Sequence, residues 1–312
     1  MILLKEKKFI AANFANEREI EKVVEANAEY IFGPDSIYLP KMLIKSPDGI
    51  GTIPDGFAID LASRQWYIVE AELSSHSVWN HIAPQVAKQI IAASQPSTRA
   101  ALIELVVNLI KNDDELAEKI DELEIEAIDI RQVLTEIFEK KPIVGLPIDA
   151  VSLDLKEWAQ TLKVEVKLWI VRKLVDFNDS TNILYEIPDE FKPVFDTTQS
   201  EESDNVSQYF SDVTVVDLIE RGFLKSGDKL SFTYKPRGGI GTNFIATVLD
   251  DGSFQVQDKV FSSPSYAATF CMQQAGSQRK TINGWSYWKS TNGSTLAQLR
   301  LNYISKTNPS AA

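Results

Sequence analysis

The chain predicts an α/β core, a mixed sheet flanked by helices, followed by a small α+β domain. Three observations predict it. An amphipathic helix is followed by three strand-like segments and then a long helical stretch; a polar, acidic segment interrupts the chain between Pro188 and Val213; beyond it the texture changes to short strands and an aromatic-rich end. The 312 residues suffice for two domains, and 44% hydrophobic against 24% charged residues leaves a sizeable core.

Asn13–Phe32 places Phe14, Ile20, Val23, Val24, Ala28 and Ile31 at helical spacing, and Gly33-Pro34 ends that helix. Ser36–Ile44, Gly51–Leu61 and Trp66–Leu73 read as strands, and Ser77–Ile110 as largely helical with a break around Gln95-Pro96-Ser97. Asn112–Glu139 is a polar helical stretch that holds much of the acidity. Lys141–Val151 is apolar and carries prolines, Leu155–Leu162 is a short helix, and Lys163–Asp176 is one long alternating strand, followed by Ile183–Ile187. Residues 191–212 read as a linker between domains 1–190 and 213–312, since Thr197–Asn205 lacks any large apolar residue. Past it come a helix at Val215–Arg221, strands at Lys229–Tyr234, Phe244–Leu249 and Ser253–Val256, a helix near Ser265–Met272, and the run Trp285-Ser-Tyr-Trp288.

No run of about 18 uncharged apolar residues occurs, and the charged start Met1–Lys8 does not suit a secretory signal, so a cytoplasmic protein with no membrane span is expected. The single Cys271 excludes an internal disulfide and a Cys-rich zinc site, and two histidines cannot complete a three-His site. His76 and His81 flank a helix start and are read as polar loop or capping residues rather than ligands. Net charge is −12 but uneven: 11 basic and 7 acidic residues from Val206 onward give +4, whereas 21 and 37 before it give −16. Phosphate contacts are local, so an acidic first domain does not forbid a basic DNA-facing surface on the second.

Chemistry concentrates in Ile53–Asp60 and Trp66–Leu73. Alternation puts Glu70 and Glu72 on one strand face with Val69, Ala71 and Leu73 on the other, and a turn around Ala62–Gln65 brings Asp55 alongside. Three carboxylates with no His or Cys nearby in a tight spacing suit a hard cation, Mg²⁺ or Mn²⁺, better than zinc. The competing reading is an edge strand with solvated acids.

The element order, with Pro54-Asp55 and Glu70-Ala-Glu72, resembles the PD-(D/E)xK nuclease superfamily over roughly Glu17–Asp176. The resemblance implies a restriction-endonuclease-like core, with Asp55 and Glu70 as metal ligands. It also implies Gln85 as the glutamine of the following helix and Glu17 as the acid of the first helix, Glu21 being the alternative. The family's lysine is Glu72 here, implying a further ligand or a base in its place.

Downstream, Val213–Leu230, Phe244–Gly252, Val260–Ala268 and Asn283–Lys289 resemble, block by block, the RAMA domain associated with restriction enzymes and adenine methylases, which implies DNA binding. Tyr234, Phe244, Trp285, Tyr287 and Trp288 could wall a pocket that stacks on a flipped base; Lys235, Arg237, Arg279 and Lys280 could hold phosphates; Ser262, Ser263 and Asn283 complete the candidate surface. For any single ring, membership of a small domain's core is the alternative. The two halves together imply a Mg²⁺-dependent, modification-dependent restriction endonuclease acting on double-stranded DNA as a homodimer. Its rivals are a non-catalytic DNA-binding protein and a structure-specific repair nuclease.

Overall fold

In a computed structural model of the chain, residues 1–187, 192–197, 213–237 and 239–307 are described. The chain divides into two units, Met1–Thr198 and Gln199–Ala312. Most of the expected linker lies outside the described residues.

The first unit runs β1 (Ile2–Leu4), β2 (Lys7–Ala12), α1 (Glu17–Ala26), α2 (Ala28–Phe32), β3 (Ser36–Pro40), β4 (Ile44–Lys45), β5 (Gly51–Thr52), β6 (Gly56–Asp60) and β7 (Gln65–Val69). A π-helical turn, Val78–Ile82, leads into α3 (Ala83–Ala93), α4 (Pro96–Asn112), α5 (Asp114–Glu122) and α6 (Ile130–Glu139). Then follow β8 (Ile143–Ile148), α7 (Leu153–Thr161), β9 (Val166–Ile170), β10 (Arg172–Asp176), β11 (Ile183–Glu186) and β12 (Phe195–Asp196). The central sheet has the order β12-β9-β8-β7-β6-β3 and is mixed: β8 is parallel to β7 and β9, and the other pairs are antiparallel. β12 falls at the start of the expected linker, so the first unit extends past residue 190.

Period-two alternation divides the sheet's side chains between its two faces. Phe57, Ile59, Trp66 and Ile68 pack against α3, α4, α5 and α6, while Ala58, Tyr67 and Val69 pack against α1 and α2. Each of the large side chains so buried is worth about 1.5–3 kcal/mol. Alternation continues past the end of β7: Glu70 N–H donates to Gly145 O (3.0 Å) and Glu72 N–H to Pro147 O (3.0 Å), while Ala71 and Leu73 join the α1–α2 side.

Two expected elements are broken. Asn27 interrupts the first helix: its side-chain amide donates to Val23 O (2.8 Å) and its backbone N–H to Val24 O (3.2 Å). The strand expected over Lys163–Asp176 serves two sheets. Val171 N–H donates to Ile148 O (2.9 Å) as the last bond of the central sheet, after which β10 pairs with β2 and β11 in the four-stranded order β1-β2-β10-β11. No turn residue separates β9 from β10, and the apolar run Leu168–Val171 crosses the change of partner, which is why the segment reads as one strand.

The second unit is an antiparallel meander of β13 (Lys229–Tyr234), β14 (Thr242–Val248), β15 (Phe254–Val256) and β16 (Lys259–Phe261). Helices Val215–Glu220, Pro264–Gln274, Gly284–Tyr287 and Leu296–Thr307 accompany it. Its core gathers Leu218, Leu230, Phe232, Val248, Phe254, Met272 and Trp288. Thr214 and Asp217 form a reciprocal capping box on the first of these helices. Among the described residues, no helix is long and apolar enough to cross a membrane.

Candidate active site

The hairpin β6–β7 sets the site, its turn stabilised by Asp60 accepting from Ala62 N–H (3.1 Å) and Ser63 N–H (3.2 Å). Asp55 stands just before β6. Its Oδ2 accepts from Ala71 N–H at 3.0 Å, which ties it to the far strand midway between Glu70 and Glu72. Gly56 beside it allows a close approach, since a Cβ there would lie 2.3 Å from the Tyr38 hydroxyl, and that hydroxyl donates to Asp55 O at 3.3 Å.

Glu70 is buried, 1% exposed, and faces α3. Gln85 Nε2 donates to its Oε2 at 2.9 Å, and Gln89 Nε2 donates to its Oε1. Burial first, then the neighbouring carboxylates of Asp55 and Glu72, hold its carboxyl well above the usual carboxylate range, while the Gln89 hydrogen bond works the other way. Lys41, from the β3–β4 connection, reaches Asp55 Oδ1 at 2.9 Å and Glu21 Oε2 at 2.8 Å. Burial disfavours its charge, but these two acids outweigh that and raise its ammonium's pKa.

Glu72, 2% exposed, faces the π-helical turn. His76 Nδ1 lies 3.0 Å from Glu72 Oε2 and 2.8 Å from Glu17 Oε1; His81 Nε2 lies 3.2 Å from Glu17 Oε1 and 3.7 Å from Glu72 Oε1. Burial raises the Glu72 carboxyl, with His76 and His81 pulling it back down. The expected residues thus fall into two adjoining groups: Asp55, Glu70 and Gln85, and Glu17 with Glu72. His76 stands in the loop before the π-helical turn and His81 within that turn, and both lie between the acids Glu17 and Glu72 rather than acting as plain polar surface residues; Glu21 reaches Lys41, which in turn reaches Asp55. Lys41 and Gln89 are unforeseen members; Lys41 gives no signal because it lies outside the strand motif, while Gln89, one turn beyond Gln85 on α3, could have been found by helical spacing.

The second unit places its candidate residues unevenly. Ser263 caps helix Pro264–Gln274, accepting from Tyr266 N–H (3.2 Å), and Asn283 caps Gly284–Tyr287, accepting from Trp285 N–H (3.2 Å). Trp288 Nε1 donates to Pro264 O at 2.9 Å. Residues 196–309 match the family model RAMA, Restriction Enzyme Adenine Methylase Associated. The match ties this part of the chain to restriction-modification systems. No curated protein matches the chain.

Within the RAMA unit an open aromatic cage is not formed. Tyr234, Trp285 and Trp288 are buried; Tyr234 and Trp288 pack against Phe232, with centroids at 6.0 and 5.3 Å, and the Arg300 guanidinium covers Trp285 at 3.2 Å. Phe244 and Tyr287 are half-buried against the same core. Arg279, at 0% exposed, is inside rather than on a phosphate-facing surface. These side chains fill the core because a domain this small has few other large apolar groups to bury. Lys235, Arg237, Ser262 and Lys280 are exposed.

Proposed function

We propose that the chain is a metal-dependent DNA endonuclease of a restriction system, cutting phosphodiester bonds at Asp55 and Glu70 and selecting targets through its RAMA unit. The observation that carries this reading is the convergence of Asp55, Glu70 and Gln85 at the end of β7: a buried carboxylate whose ionisation is opposed by two like charges calls for a cation. The donor set there is all oxygen, which fits Mg²⁺ or Mn²⁺, with Asp55 and Glu70 as holders and Glu72 as a further ligand or base. Such an ion would supply activated water and charge neutralisation at the scissile phosphate. Gln85 and Gln89 fix Glu70's two oxygens. Lys41 brings to Asp55 the ammonium that Glu72 does not provide on the strand.

For the RAMA unit, the reading places DNA against Lys235, Arg237, Ser262 and Lys280, with modified bases as the target class. The loop between β13 and β14 carries Lys235, Arg237 and Ile240, the last 88% exposed. Cutting both strands with one site per chain calls for two chains, so the active form is a homodimer on double-stranded DNA.

The test is Mg²⁺-dependent cleavage of matched unmodified, adenine-methylated and cytosine-modified plasmids. Cutting confined to a modified plasmid and abolished by Asp55→Ala or Glu70→Ala, with DNA binding retained, is the expected result. Cutting that survives either change would place the chemistry elsewhere, and no cutting of any plasmid would leave a DNA-binding protein.

A further inference from the structure

Glu17, Glu72, His76 and His81 each turn one ligand atom to a common point, all four atoms lying within 4.8 Å of one another. Hydrogen bonding alone does not account for the arrangement. An imidazole nitrogen carries at most one proton, yet His76 Nδ1 lies within 3.0 Å of oxygens from two different carboxylates, and Glu17 Oε1 faces both rings. The separations of Glu17 Oε1 from the two ring nitrogens, 2.8 and 3.2 Å, and of Glu72 Oε2 from His76 Nδ1, 3.0 Å, lie near the roughly 3.3 Å that separates tetrahedral ligands bound at about 2.0–2.1 Å.

We infer that these four residues form a second metal centre, for a divalent transition metal of the zinc class, distinct from the oxygen-only pair Asp55–Glu70. Two imidazoles with two carboxylates favour Zn²⁺ over Mg²⁺, which prefers all-oxygen shells and retains its waters. The local backbone is built for it. The turn carrying His81 is π-helical, with Ile82 N–H donating to Ser77 O at 3.3 Å, and the two rings stand edge to face with centroids at 4.8 Å. Such turns recur at functional sites. The centre ties together three separate elements: the first turn of α1, the end of β7 and the π-helical turn. It also supplies a cation to Glu72, a buried acid with no lysine or arginine ion pair among the described residues. The inference concerns metal binding and stands whether or not the chain cuts DNA.

The full chain, stripped of metal by chelation, is titrated with Co²⁺ as a spectroscopic stand-in for Zn²⁺ and followed by visible absorption. With Mg²⁺ in large excess to fill the Asp55–Glu70 pair, one Co²⁺ per chain is expected to bind and to be displaced by equimolar Zn²⁺. Both histidines are partly exposed, so His76→Ala and His81→Ala should leave the fold intact, which thermal melting checks. Since lost outer-shell support alone weakens metal sites about 10–100-fold, each variant should weaken Co²⁺ binding at least about ten-fold. Glu70→Gln should bind Co²⁺ as wild type does. Absence of Co²⁺ binding in excess Mg²⁺, or wild-type binding in both histidine variants, would overturn the inference. These outcomes are distinguishable from failure of the nuclease reading, which is tested at Asp55 and Glu70 and shares only Glu72 with this centre.

Discussion

At the scale of single residues, Glu70 is the side chain whose environment departs furthest from water. Its folded-state pKa is raised, so the stability it contributes is fully present below the unfolded value, near 4.5, and is lost as pH rises through the folded one. Glu70→Gln removes that titration. Gln89 can turn its amide to match, because its Oε1 is buried with no hydrogen-bond partner. The variant should therefore be more stable than wild type at neutral pH without divalent metal, by on the order of 1–3 kcal/mol. The gap should close as pH falls; melting curves across pH in chelator read both, and a constant gap would contradict the account. Cleavage should be lost in the same variant, so this residue trades stability for function.

At the scale of elements, two contacts carry separate predictions. Lys119 of α5, 2% exposed, donates to Glu29 of α2 and to Ser36 O of β3 (3.1 Å), fastening α5 to the sheet. Lys119→Ala would leave Glu29 partly buried without its counter-ion, at a cost of about 3–5 kcal/mol, seen as a lower urea midpoint. In the RAMA unit, a Cβ on Gly284 would lie 2.1 Å from Pro264 O, so Gly284→Ala should force apart helices Pro264–Gln274 and Gly284–Tyr287. The cost is about 1–3 kcal/mol or more, read as faster amide exchange at the start of the longer helix.

These elements also show what was legible in the sequence. The β6–β7 hairpin and its carboxylates were, because alternation and a short turn are local signals. The likeness to RAMA was equally plain from Val213–Leu230, although the family match begins earlier, at residue 196. What was not legible depended on partners far along the chain: whether Trp285 and Trp288 faced a ligand or the core, that one alternating run would serve two sheets, and that Lys41 and the two histidines would meet acids distant in sequence. The hairpin β1–β2 escaped notice because Ile2, Leu3 and Leu4 are exposed, and helix Leu296–Thr307 because buried Leu296, Leu299 and Ile304 are mixed with exposed Leu301, leaving a weak periodic signal.

At the scale of the whole molecule, the chain combines a strongly acidic unit that holds the carboxylates with a nearly neutral one that matches RAMA. Removing residues 213–312 should leave a folded first unit that cuts without regard to modification, measured by cleavage of the same plasmid set; unchanged selectivity would take target choice away from the RAMA unit. The four-stranded sheet has a further role. Glu19, two residues from Glu17 on α1, is held by Lys173 of β10 at 2.6 Å and by the Tyr185 hydroxyl at 3.3 Å, a partner 166 residues later. Helix α1 is therefore fastened by residues made long after it. At about 5–20 residues per second, Glu19 waits roughly 10–30 s for Tyr185. A growing chain thus carries α1 without this fastening until β10 and β11 have been made, so the helix that presents Glu17 is held on its outer side only late in synthesis.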